Sequence, residues 1–162
     1  MHEGGISTPL IAHWPGRIRP GKPLHAPCHV ADIVPTLLEA AGAAPLTELG
    51  GEAMQPVQGE SLLGLLSGQD WQREQPIFFE HEGNSAIRLG QFKLVRLHGQ
   101  DWELYDIEAD RTELHDLARG DTARAQALVR QYQDWADKTG VLDWTVALPR
   151  LLAAWDMDNA EG

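Results

Sequence analysis

The chain has little with which to build a covalent or a cationic framework. Cys28 is its only cysteine, so no disulfide can form within it. Lysine and arginine total 13 against 24 aspartates and glutamates, a formal net charge of -11. That balance argues against nucleic acid and membrane as partners, because both are bound through basic faces. No apolar run approaches the roughly 20 residues that cross a bilayer. The first residues carry neither a basic n-region nor an apolar h-region, so no signal peptide is read and the compartment is not legible. Three signatures, for phosphate, a nucleophile and zinc, are also missing. "GRIRPG" is broken by Pro20 and makes no phosphate loop. There is no G-x-S-x-G elbow and no paired-cysteine zinc spacing.

What is present is an ordinary globular composition, 43 % hydrophobic and 23 % charged over 162 residues. That suffices for one domain of normal size with a real core. From Gly4 to Pro15 the pattern reads as a strand, with Ile6, Leu10 and Ile11 apolar and Pro9 at an edge or bulge. "GRIRPGKPLHAP" reads as a loop. "HVADIVPTLLEAAG" reads as a helix capped by Asp32, with Pro35 in its first turn and Gly42 closing it. Val34, Leu37, Leu38 and Ala41 share its apolar stripe. Residues 43–60 read as loop, and "GESLLGLLSG" as a short helical turn.

From Pro76 the period changes. "PIFFEHEG", "SAIRLG", "QFKLVRLHG" and "DWELYDI" are short apolar runs split by turn residues, which predicts an antiparallel meander. "HGQD" is a hairpin turn in this reading. "EADRTELHDLARGD" is a charged connector. The spacing predicts the longest helix over Thr122 to Thr139, with Ala125, Leu128, Val129, Tyr132, Trp135 and Ala136 buried and Gly140 ending it. The fold class is therefore α+β: a small four-stranded antiparallel sheet packed on a long C-terminal helix. "DMDNAEG" reads as a frayed tail.

No complete catalytic constellation emerges from residue chemistry. His25, Cys28 and His29 are the densest group of soft ligands. A metal site needs three or four ligands in one place, and no second cluster lies nearby. Cys28 and His29 are neighbours, which in a strand point to opposite faces. Asp32 is explained by a helix cap. "FFEHEGNSAIR" is the most unusual stretch, with Glu80, His81, Glu82, Asn84 and Arg88 crowding a strand end. It reads equally as a polar turn in which Asn84 tolerates a positive φ and as a loop presenting polar groups to a pocket.

The order of segments resembles the C-terminal part of a sulfatase of the arylsulfatase type, in the alkaline-phosphatase-like superfamily. "HEGGISTPLIAHWPG", "CHVADIVPTLLEAAG", "GESLLGLLSG" and "FFEHEGNSAIRLGQFKLVRLHGQDWELYDIEADRTELHDLA" carry it, from about His2 to about Trp144. The resemblance implies a sulfuric-ester hydrolase whose nucleophile is a formylglycine made from a C-x-P-S-R motif, with calcium or magnesium holding the sulfate oxygens. None of that machinery maps onto this chain. Cys28 sits in "APCHV", and Asp158-Asn159 has the letters but not the context of a metal pair. The residues that would hold nucleophile, metal and sulfate lie upstream of Met1 in the family's pattern.

The resemblance thus implies, for residues 1–60, a remnant of the large α/β catalytic domain ending in its last strand-helix unit. Residues 61–145 form the C-terminal subdomain and 146–162 a tail. No catalytic residue, metal or cofactor is expected within the chain, which is expected to be inactive alone. His81, Asn84 and Arg88 are the candidates for the rim of the substrate pocket. The parent's partner would be a sulfate-ester small molecule or glycan. Two alternatives remain open: a phosphonate or phosphate monoester hydrolase of the same superfamily, and a stand-alone accessory or binding domain. Apolar residues of the N-terminal arm without packing partners are expected to drive self-association.

Overall fold

The computed structural model describes residues 1–18, 21 and 23–160; Arg19, Pro20 and Lys22 of the expected loop, and the last two tail residues, lie outside that description. The chain divides into two compact units, one of Met1–Ser7 with Phe78–Gly162 and one of Thr8–Ile77.

The first unit holds the meander. Strands β3 (Ile77–His81), β4 (Asn84–Leu89), β5 (Phe92–Arg96) and β6 (Glu103–Asp106) lie side by side in sequence order. Ile87 pairs with Leu94, and Leu94 with Leu104. The pleat sends these three to one face, where all are fully buried against Ala125, Leu128, Tyr132 and Ala136 of helix α4 (Thr122–Thr139). Each such aliphatic side chain contributes about 1.5–3 kcal/mol by leaving water. Trp135 stacks on Phe78 at 4.8 Å, and Tyr132 meets Trp102 edge-on at 5.3 Å. Asp121 accepts a hydrogen bond from the Arg124 N–H at the start of α4, and Gly140, at φ +73°, closes it. The opposite sheet face buries Ala86, Val95, Tyr105 and Ile107, with Met1 and Phe79 packed against them.

The second unit has a 3-10 turn (Val30–Asp32) running into α2 (Ile33–Ala41), a two-residue ladder between β1 (Glu48–Leu49) and β2 (Glu52–Ala53), and the short helix α3 (Leu63–Leu66). No residue of α2 is fully buried, and Val34 and Leu37 of its apolar stripe are exposed.

Two expectations are corrected. Residues 4–15 do not form a strand. Glu3–Ile6 is a single helical turn, α1, and residues 7–14 have no regular structure. A strand needs a neighbour for its N–H and C=O groups, and among the described residues none pairs with this stretch. The tail does not fray at Asp156 either, because helix α5 runs from Trp144 to Ala160 with Pro149 inside it.

Candidate functional site

The β3–β4 turn is built by two residues with positive φ, Glu82 (+53°) and Gly83 (+79°). That pair is the signature of a two-residue hairpin whose twist matches its strands. Asn84 is not the left-handed residue that the sequence suggested. It starts β4, and its side chain ties the tip together: Nδ2 donates to the His81 carbonyl at 2.9 Å, and Oδ1 accepts from the His98 N–H at 3.1 Å. A Cβ on Gly83 would come within 2.7 Å of His98 Nδ1, so the two hairpin tips touch there.

His81 is exposed at this tip. Arg88 is four residues beyond Asn84 along β4, roughly 13 Å at the usual strand rise, and its Nε donates to the Gly90 carbonyl. The structure therefore brings His81 and Asn84 together and sets Arg88 apart. Glu80 points the other way, toward α4. It accepts hydrogen bonds from the Gly83 N–H, the Ser85 hydroxyl and the Tyr132 hydroxyl. Burial pushes the Tyr132 hydroxyl up to about 12, with the Ser85 hydroxyl opposing and the Glu80 carboxylate adding to the rise. Glu80 is thus a scaffold group that braces the hairpin against the helix.

In the Thr8–Ile77 unit, Asp32 gives the first turn of α2 no side-chain hydrogen bond; it caps one turn earlier, closing a capping box with His29 at the 3-10 turn that runs into α2. It is fully buried. Its carboxylate accepts the His29 N–H at 2.6 Å and the Glu60 N–H at 2.9 Å, and pairs with the Arg73 guanidinium. Arg73 Nε also donates to the Pro27 carbonyl. Three donors, one of them a cation, thereby hold the Asp32 carboxylate, so the site does not suit a hard cation. The His25–Cys28–His29 group makes no metal cradle: His29 Nδ1 accepts from the Ala31 N–H. Cys28 is exposed as a residue, yet the partial desolvation of its thiol raises its pKa, with Asp32 adding to the rise and Arg73 opposing it. A raised thiol is a poor nucleophile near neutrality. Among the described residues, no three or more His, Cys, Asp or Glu side chains stand close enough together to hold a metal ion.

The least expected group lies on the sheet face away from α4. Lys93 in β5 is fully buried, with Nζ 3.1 Å from Glu3 Oε1 and 2.7 Å from Glu113 Oε1. Glu113, held at φ +57°, also accepts the Glu3 N–H at 2.7 Å and lies 3.2 Å from His2 Nδ1. Burial pushes the Glu113 carboxyl up, but Lys93, the Glu3 N–H and His2 outweigh it, and the net shift is downward. Sequence reading missed this cluster. The one available signal was a lysine inside an otherwise apolar strand, "FKLV", where a charge is expensive unless paired. The connector between β6 and α4 is organised by acidic side chains. Asp106 accepts the Glu108 and Ala109 N–H groups, Asp110 those of Leu114 and His115, and Asp116 those of Leu104 and Ala118.

A four-stranded meander is thus backed by one long helix, with the chain's first residues pinned to its free face. Residues 1–138 match the family described as N-sulphoglucosamine sulphohydrolase, C-terminal, and the chain belongs to that family of sulfatases, within the alkaline-phosphatase-like superfamily. It is similar to an N-acetylglucosamine-6-O-sulfatase of Bacteroides thetaiotaomicron, 26 % identical over 151 residues that cover 85 % of this chain and 26 % of that protein. Human arylsulfatase A is 36 % identical over 98 residues, covering 57 % of this chain and 18 % of the relative. The crystal structure of Ps i-CgsB in complex with k-i-k-neocarrahexaose superposes with a TM-score of 0.62 at 27 % identity, covering 76 % of this chain and 27 % of that one. The chain thus spans about a quarter of the length of the relatives it matches over most of its own length.

Proposed function

We propose that this chain is the carboxyl-terminal part of a sulfuric-ester hydrolase of the arylsulfatase type and is inactive by itself. It supplies scaffold and the rim of the substrate pocket. The nucleophile and the divalent cation belong to residues upstream of Met1. The observation that carries this reading is the family match over residues 1–138. The substrate class is a sulfated sugar or small sulfate ester, by likeness to relatives named for N-acetylglucosamine 6-O-sulfate and choline sulfate. His81 and Asn84 at the β3–β4 tip are the first candidates for contact with the organic part of the ester, with Arg88 further along the strand.

Two assays test this. The 162-residue chain is incubated with 4-nitrophenyl sulfate and N-acetylglucosamine 6-sulfate, with calcium or magnesium; release of sulfate by the chain alone would overturn the assignment. In the complete enzyme, His81→Ala with Asn84→Ala should lower kcat/KM unequally across several esters. Equal, wild-type values on all of them would remove these residues from the rim.

A further inference from the structure

The Lys93 cluster does more than satisfy buried charges. Its three members come from Glu3, from the middle of β5 and from the connector beyond β6, so it joins segments 90 and 110 residues apart. A second link follows on the same segment, where Arg111 Nη2 donates to Ser7 Oγ at 2.9 Å. Met1 packs into the apolar cluster of the same sheet face, and the His2 ring meets Tyr105 edge-on at 6.2 Å. Met1–Ser7 is therefore a strap laid along the free face of the sheet, fixed at its start, middle and end.

Apolar side chains would hold such a strap as firmly, since replacing a buried ion pair by well-packed hydrophobes is often neutral or stabilising. What charges add is a single register. Lys93 offers its protons in defined directions, and Glu113 presents one oxygen to Lys93 and the other to the Glu3 N–H and His2. A strap shifted by one residue leaves the Glu3 carboxylate without its cation and Glu113 Oε2 without the Glu3 N–H, while the Lys93–Glu113 pair stays in place, and that loss is penalised.

We propose that Lys93 is a positioning residue for the hydrolytic reaction: with Glu113 it fixes Glu3, and so sets the position and direction in which the chain enters at Met1. This rests on the reading that the reacting groups precede Met1. Small errors in the placement of such groups are costly, because a displacement of about 1 Å can lower turnover on the order of a hundredfold.

Glu3→Gln is the informative variant, since it loosens the strap but leaves the Lys93–Glu113 pair inside the sheet. In the 162-residue chain, amide exchange at residues 3–7 should speed up by about tenfold or more while β4 and β5 amides keep their protection. In the complete enzyme the same variant should lower kcat by about tenfold or more with KM within about threefold. Wild-type exchange at residues 3–7 overturns the docking role. Faster exchange with unchanged kcat overturns the positioning role. If the complete wild-type enzyme cleaves no sulfate ester and the strap still loosens, the sulfatase reading fails and the docking of the strap by Lys93 stands.

Discussion

Arg73→Met isolates the interaction that holds the Thr8–Ile77 unit together. Asp32 is 0 % exposed and the Arg73 side chain 7 % exposed, so water screens neither. Removing the guanidinium leaves the carboxylate with two backbone N–H donors and no cation, and leaves the Pro27 carbonyl without its donor. Breaking a buried pair by removing one partner costs about 3–5 kcal/mol. The two surviving N–H bonds place the expectation at the lower end, about 3 kcal/mol. For a unit of this size that corresponds to a fall in Tm of roughly 12–24 °C. Urea titration read by hydrogen exchange in peptides spanning 29–36 and 60–63 measures it locally. Asp32→Asn loses the charge but turns an amide NH2 toward one of the two backbone N–H donors, so the pair is read from the double-mutant cycle, which should give a coupling energy of at least about 1 kcal/mol between the two positions. A loss below about 1 kcal/mol in Arg73→Met, the range of an exposed pair, or no coupling in the cycle would refute the argument.

Two further outcomes are expected. Glu113 has a lowered pKa in the folded chain, so its contribution is present above the ordinary glutamate value of about 4.3 and is lost as pH falls through its lower folded value. Melting followed from pH 6 to pH 3 should show that acid-side loss, and Glu113→Gln should flatten it; an unchanged acid slope in the variant would contradict the assignment. Gly59 has φ +91°, and a Cβ there would sit 2.5 Å from the Ala31 carbonyl oxygen, which is backbone and cannot swing aside. Gly59→Ala should destabilise the Thr8–Ile77 unit by more than about 1 kcal/mol, measurable by the same urea titration; a neutral result would mean that the 3-10 turn yields easily.

Where the sequence was legible, local pattern and tertiary packing agreed. Helix α4 runs from Thr122 to Thr139 as its apolar period and the flanking Asp121 and Gly140 dictate, and the meander follows from alternation punctuated by turn residues. Asp32 was half legible: it closes a cap at the 3-10 turn, but nothing local announces its pairing with Arg73, 41 residues away. The strand expected at 4–15 failed because apolar spacing reports a wish for burial, and a strand also needs a neighbouring edge. Helix α5 was obscured by Pro149 and by apolar residues on all sides, which leave no stripe to read. The Lys93 cluster was out of reach for a different reason. Its parts are far apart in sequence, and no local period links them. As for the candidate rim, local sequence found the polar tip at His81 and Asn84, but strand geometry, not composition, decides that Arg88 lies elsewhere.

The strap imposes an order of events on the growing chain. Glu3 leaves the ribosome long before its partners, with Lys93 following 90 residues later and Glu113 110 residues later. At about 5–20 residues per second the wait for Lys93 is roughly 5–18 s, during which Glu3 and the residues after it have nothing to dock on. Closing a loop of that length costs about 4 kcal/mol of chain entropy beyond a constant term. The strap can therefore settle only after β5 and the connector as far as Glu113 have been made and have come together.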